Sequence, residues 1–115
     1  EHGFVTYSNG AKQTMLGVNH KTLADHGAVS EPVARQMAEG AMRQAQADIA
    51  ISVSGIAGPG GTEFKPEGRV CFALASALGT QSETQEFGSL GRAAVRKAAL
   101  DHALNLICVH LNLAH

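Results

Sequence analysis

Tyr7, Ser8, Asn9 and Lys12 stand where a β-prone run, Gly3 to Ser8, gives way to turn formers and a predicted short helix over about 10–16. In open α/β sheets, ligands bind where strands end and helices begin. With Asn9 as N-cap, Lys12 falls at the third helical position, in the positive half of the helix dipole. An ammonium is disfavoured there, which suits a lysine acting as general base. The Tyr7 hydroxyl would relay a proton or fix the amine. The competing reading is a surface lysine beside a half-buried tyrosine.

A second group of residues, Ser54-Gly55-Ile56-Ala57-Gly58-Pro59-Gly60-Gly61-Thr62, follows an apolar run directly. So many glycines let the backbone approach a ligand and aim N–H groups at an oxyanion or phosphate. The stretch mimics a P-loop, but Gly61 stands where the lysine must be, and Pro59 and Pro66 oppose a helix after the loop; GxGxxG does not occur. Nucleoside triphosphate and dinucleotide sites are therefore not expected, and a plain turn is the alternative. Arg92 and Arg96, one turn apart at the start of a predicted helix, suit a phosphate or a solvated face. The six histidines form no HxxxH or HxH pair and have no cysteine at ligand spacing, so no metal site is expected.

The elements that must position these groups follow from periodicity and punctuation. A strand over Gly3 to Ser8 comes first, and HKTLADH (20–26) reads as a short helix closed by Gly27. Ser30 as N-cap, Glu31 and Pro32 in the first turn, and Val33, Met37, Ala41 and Ala45 at helical spacing predict a helix over about 31–46. IAISVS is continuous and β-branched, as expected of a central strand covered on both faces. Residues 69–77 and 80–87 predict an antiparallel hairpin turning at Gly79-Thr80, with the second strand near an edge. From Arg92, the apolar positions Val95, Ala99, Leu100, Ala103, Leu106, Ile107 and Val109 predict a long helix to about Leu113. This order predicts an α/β fold, a sandwich with a mixed sheet whose first connection is long enough for a parallel crossover.

At 115 residues, 44% hydrophobic and 17% charged, the chain is one ordinary globular domain. Nine basic against ten acidic side chains, never densely clustered, argue against a nucleic-acid footprint and for a small-molecule or protein partner. Cys71 and Cys108 lie in apolar runs without CxxC spacing and read as reduced core residues of a cytoplasmic protein. No apolar stretch approaches the roughly 20 residues of a membrane span, and the start lacks the marks of a signal peptide. GFVTYS reads as a strand already under way, so further residues upstream are expected. An open sheet edge and an apolar last helix favour a homo-oligomer, with a dimer as the simplest form.

Three stretches together carry a resemblance: GFVTYSNGAKQTMLGV, HGAVSEPVARQMAEGA and ISVSGIAGPGGTEFKPEGRVCFALA. In order and spacing they resemble the CinA C-terminal domain family, also known as nicotinamide-nucleotide amidases. The likeness runs over roughly residues 3–108, with YSNxxK and SGIAGPxG as its most specific parts. It implies a three-layer α/β/α sandwich with a mixed, mainly parallel sheet. It also implies cofactor-free hydrolysis of the nicotinamide mononucleotide carboxamide to nicotinic acid mononucleotide and ammonia, a step of pyridine-nucleotide salvage.

By that resemblance Tyr7 and Lys12 assist a nucleophilic serine, and Ser54 stands near the oxyanion. Asn9, the backbone of Gly55, Ala57, Gly58, Pro59 and Gly60, and Arg92 bind the nucleotide. The family's serine lies in an ESCTGG segment ahead of YSNxxK, and no such segment occurs in these residues. The expectation is a single domain over 1–115 without its first strand and helix, whose activity depends on an upstream serine segment. Leu90-Gly91-Arg92 replaces the family's GDR-like stretch, and Glu67 and Arg69 replace smaller residues after KP. A non-catalytic nucleotide-binding or interaction module, linked to competence and DNA damage, is the alternative.

Overall fold

The computed structural model describes residues 18–27, 29–55 and 67–114. The predicted strand over 3–8 and helix over 10–16 lie outside these residues.

The first helix, α1 (His20–His26), is short, and its ends are closed by its neighbours. The Asn19 side chain accepts from the N–H groups of Lys21 and Thr22 at 2.8 and 3.4 Å. Gly27, at φ 80°, donates its N–H to the Leu23 carbonyl. A helix of two turns is not stable alone. It is held by Leu23, buried with Val18, Val33 and Met37, and by the Gln36 carboxamide, which accepts from Asn19 N–H and donates to the Thr22 hydroxyl.

The second helix, α2 (Glu31–Ala45), starts as predicted, with proline in the first turn, and ends at Gln46 in the left-handed region. Ser30 occupies the N-cap position but does not cap: its hydroxyl donates to the Gly27 carbonyl at 2.7 Å. Glu31 is free to reach sideways, where its two carboxylate oxygens accept from the hydroxyls of Ser82 and Thr84 at 2.9 and 2.8 Å. The helix buries two stripes. Val33 and Met37 face α1, while Ala34 and Ala38 pack on Cys71, Ala73 and Ala75 of the sheet.

That sheet contains β1 (Ile49–Gly55), β2 (Arg69–Ser76) and β3 (Gly79–Glu86), in the order β1-β2-β3. Both pairings are antiparallel, running from Ile49↔Ser76 to Gly55↔Val70 and from Arg69↔Glu86 to Ser76↔Gly79. The expected mixed, mainly parallel sheet is therefore corrected: every pairing among the described residues is antiparallel, although the α/β combination holds. The physical reason is connectivity. Strands consecutive in the chain lie side by side, and Ala77-Leu78 suffices to join β2 to β3, whereas parallel neighbours require a long crossover. The parallel pairing was inferred from the strand over 3–8, which falls outside the described residues.

Two details also shift. The turn is at Ala77-Leu78 rather than Gly79-Thr80, with the Leu78 N–H donated to the Ser76 hydroxyl and the Leu78 side chain exposed. The strand enclosed on both faces is β2, buried from Val70 to Ser76, while β1 leaves Val53 41% exposed.

Helix α3 (Arg92–Ala114) covers the other side of the sheet. Val95, Ala99 and Ala103 are buried against Val70 and Phe72, joined at the edges by Ile51, Phe87 and Leu106. Among the described residues no helix is long and apolar enough to cross a membrane.

Candidate functional site

Of the expected site residues, Ser54, Gly55 and Arg92 are described; Tyr7, Asn9, Lys12, Ala57, Gly58, Pro59 and Gly60 lie outside the described residues. Those that are described gather at one end of the sheet. Ser54 pairs with Cys71 and Gly55 with Val70, so β1 delivers both residues just before the glycine-rich stretch begins. Register explains the Ser54 orientation. Alternate residues share a face, and Ser52 and Ser54 turn toward α2 while Ile51 and Val53 turn toward α3. Ser54 is 8% exposed, and Ser52 beside it is anchored by donating its hydroxyl to the Ala34 carbonyl at 2.6 Å.

Glycine at 55 has a local cause. A Cβ there would stand 2.8 Å from the Val70 methyl and 3.2 Å from the Arg69 carbonyl, so only glycine lets β1 remain this close to β2 at its last residue. The same end of the sheet is tightened again where β2 begins. Gly68 has φ +86° and faces the Gly88 backbone so closely that a side chain would collide with it. The Phe87 N–H donates to the Gly68 carbonyl at 2.9 Å, and Arg69 Nε meets Glu86 Oε1 at 2.5 Å across the same pair. Beyond this closure the chain passes through Gly91, at φ 89°, into α3, whose first residue is the exposed Arg92.

The strand ends and the helix start thus present a buried hydroxyl, a glycine backbone and an exposed guanidinium at one end of the sheet. A hydroxyl and backbone N–H groups can stabilise an oxyanion, and a guanidinium at a helix start can hold a phosphate. Arg96, one turn further on, is also exposed.

Sequence patterns did not signal two polar connections elsewhere. Glu31, Ser82, Thr84 and Arg35 link the start of α2 to β3; Arg35 donates to the Thr80 carbonyl at 2.9 Å and the Ser82 hydroxyl at 3.3 Å. On the opposite face, His102 Nε2 lies 2.7 Å from Glu83 Oε1, and the imidazole packs on the Phe72 ring with centroids 4.7 Å apart. Residues separated this far along the chain meet only after the sheet has formed, so no local spacing announces them. Both connections lie along β3, and the covered faces they share are those of packing, not of the strand ends.

A family model described as the CinA C-terminal domain matches residues 1–111. The chain belongs to the CinA C-terminal domain family. Within it, the nicotinamide-nucleotide amidohydrolase PncC of Escherichia coli K12 is 56% identical over 108 residues, which cover 93% of this chain and 66% of that protein. A putative competence-damage inducible protein of Symbiobacterium thermophilum is 52% identical over 115 residues, covering 91% of this chain but 27% of that protein. The crystal structure of competence/damage inducible protein CihA from Agrobacterium tumefaciens superposes with TM-score 0.89 at 43% identity, covering 93% of this chain and 66% of that one. A CinA superfamily protein from Enterobacter cloacae gives TM-score 0.90 at 37% identity, with 95% and 64% covered. The chain therefore spans about two thirds of the PncC relatives and a smaller part of the longer CinA-type proteins.

Proposed function

We propose that this CinA domain forms most of an amidohydrolase that converts nicotinamide mononucleotide to nicotinic acid mononucleotide and ammonia. The observation that carries the reading is the 56% identity to a protein named nicotinamide-nucleotide amidohydrolase, spread over nearly all of this chain. The geometry is compatible with it. The strand end at Ser54-Gly55 offers a hydroxyl and close-approaching backbone, and Arg92 at the head of α3 offers a cation for the nucleotide phosphate.

In this proposal a serine from the family's ESCTGG segment, outside these 115 residues, attacks the carboxamide carbon. Lys12, held by Tyr7, takes the serine proton, and the oxyanion of the tetrahedral intermediate is met by Ser54 and backbone N–H groups near Gly55 and Gly58. The intermediate collapses as the C–N bond breaks, and Lys12 returns its proton to the departing nitrogen, which leaves as ammonia. Water then attacks the acyl-serine ester, losing a proton to the same amine; as the ester C–O bond breaks, the amine returns that proton to the serine oxygen, and the acid leaves and ionises to the carboxylate. Asn9, Ala57, Pro59 and Gly60 complete the nucleotide pocket, and the reaction needs neither cofactor nor metal. Such chemistry belongs to pyridine-nucleotide salvage in the cytoplasm. The partners are a nucleotide substrate and a second copy of the protein, with no nucleic acid or membrane.

A polypeptide carrying this domain together with the ESCTGG segment is expected to release ammonia from nicotinamide mononucleotide, and its Lys12→Ala variant to lose about 10²–10⁴-fold in kcat, the usual contribution of a general base. A folded polypeptide without turnover sinks the amidase reading. It would favour the second one, a non-catalytic module. That reading is supported by relatives such as the Symbiobacterium protein, in which the matched region is only 27% of a longer chain described by competence and damage rather than by chemistry.

A further inference from the structure

Strand register places another cation beside Ser54. The chain leaves β1 at Gly55 for the glycine-rich stretch and re-enters the sheet at Arg69, the first residue of β2. Ser54 pairs with Cys71 and Cys71 with Thr84, so all three share the face turned toward α2, where the Cys71 thiol and the Thr84 hydroxyl lie 3.5 Å apart. Side chains two residues apart on a strand stand on one face. Arg69 therefore belongs to this face, one step beyond Cys71 toward the end of the sheet that carries the candidate site. From Ser54 it lies on the diagonal of the β1–β2 pair, a separation of about 7–8 Å that a long side chain spans. Arg92, by contrast, begins the helix on the other face.

The Arg69 guanidinium is oriented as well as placed. Among the described residues its partner is Glu86, the last residue of β3, reached through Nε, and the preceding Gly68 is packed tightly on the Gly88 backbone. A guanidinium carries its N–H donors on three nitrogens in a rigid plane. With Nε engaged, the two terminal nitrogens remain as a planar fork, the shape that meets two oxygens of a phosphate at once. Glu86 opposes an incoming anion only in part, because its side chain is 49% exposed against 32% for Arg69, and water screens the carboxylate more. We propose that Arg69 reads the phosphate of the substrate, so that this chain selects a carboxamide nucleoside monophosphate over the bare nucleoside, with Glu86 as the residue that positions the guanidinium. The carboxamide then lies at the Ser54 end of the diagonal, a placement that rests on the amidase reading. The phosphate contact is testable without it.

The test uses the polypeptide that carries this domain together with the ESCTGG segment. Ammonia release is followed from nicotinamide mononucleotide and from nicotinamide riboside, which lacks the phosphate. Calorimetry measures the binding of ribose 5-phosphate, which needs no turnover. A partly exposed ion pair contributes little to stability, so Arg69→Gln is expected to keep the unfolding transition of the parent. It is expected to lower the preference for the mononucleotide over the riboside about tenfold or more, through KM rather than kcat, as for a charged hydrogen bond made equally in ground and transition states. Ribose 5-phosphate affinity is expected to fall by a similar factor, and Arg69→Lys to restore part of both. Glu86→Gln, which frees the guanidinium without removing it, is expected to give a smaller rise in KM for the mononucleotide. An unchanged preference in Arg69→Gln overturns the proposal, and so does a parent that does not bind ribose 5-phosphate or a variant that binds it equally well. Arg69-dependent binding of ribose 5-phosphate without ammonia release from either amide supports the phosphate contact and counts against the amidase reading alone.

Discussion

The two faces of β2 solve the same packing problem with opposite materials. Toward α2 the strand presents Cys71, Ala73 and Ala75, and the helix answers with Ala34 and Ala38. Small side chains on both surfaces bring the backbones together, and polar groups lace the contact: Ser52 to the Ala34 carbonyl, and Glu31 and Arg35 to β3. Toward α3 the strand presents Val70, Phe72 and Leu74 to Val95, Ala99 and Ala103, with Phe87 set edge-on to Phe72 at 6.4 Å. One face is held by closeness and hydrogen bonds, the other by bulk. The difference teaches which errors each can tolerate, since a close contact fails by crowding and a bulky one by cavities.

The largest effect expected from this contrast is at neighbouring residues of one strand. Phe72→Ala, at a position 0% exposed, is expected to cost about 3–5 kcal/mol of unfolding free energy by leaving a cavity under α3. Ala73→Leu, one residue along and 1% exposed, is expected to cost about 1–3 kcal/mol by forcing α2 outward. Urea unfolding of both variants checks this. If Ala73→Leu proved harmless, the α2 face would not be the closely fitted one, and the contrast would break.

A smaller effect sharpens the role of the polar links. Glu31 accepts two hydroxyl hydrogen bonds from β3 and is half-buried. Hydrogen bonds to charged groups contribute about 1.5–3 kcal/mol at most, and partial exposure lowers the share. Glu31→Ala is therefore expected to destabilise by about 1–2 kcal/mol, with Ser82→Ala and Thr84→Ala each costing less. A triple variant no worse than Glu31→Ala would show that the three act as one unit, read by comparing urea midpoints.

Much of this architecture was legible in the residues. Helix limits were close because their ends carry strong signals: Asn19 and Gly27 bracket α1, and Pro32 opens α2. The hairpin of β2 and β3 followed from an apolar run and a more polar one joined by turn formers, although its turn moved to Ala77-Leu78. The direction of the sheet was misjudged because strand pairing is a non-local property; apolar content in IAISVS indicated burial, and it was β2 that received it. The sheet-facing stripe of α2 was missed for another reason. Val33 and Met37 carry the strong periodic signal, yet they face α1, while the sheet is met by Ala34 and Ala38, whose value lies in being small. At the candidate site, loop chemistry and family likeness singled out Ser54, Gly55 and Arg92, and the structure puts them at the end of β1 and the start of α3. Gly55 gains from the structure a reason of its own, the Val70 side chain and Arg69 carbonyl beside it.

Among the described residues, the α3 face has a hydrogen-bonded link to the sheet to compare with the lacing under α2, the contact of His102 with Glu83. Both side chains are partly exposed, at 24% and 37%, so solvent weakens the interaction. Gln85 also donates to Glu83, at 3.2 Å, which leaves the carboxylate with a partner if His102 is removed. His102→Leu keeps an apolar body over the Phe72 ring while deleting the polar contact. It is expected to change stability by less than about 1 kcal/mol, against the larger loss at Glu31. A loss at His102 equal to that at Glu31, measured by the same urea titration, would mean that α3 is fastened to the sheet by a polar link as much as by bulk. The two faces of β2 would then differ in side-chain size alone.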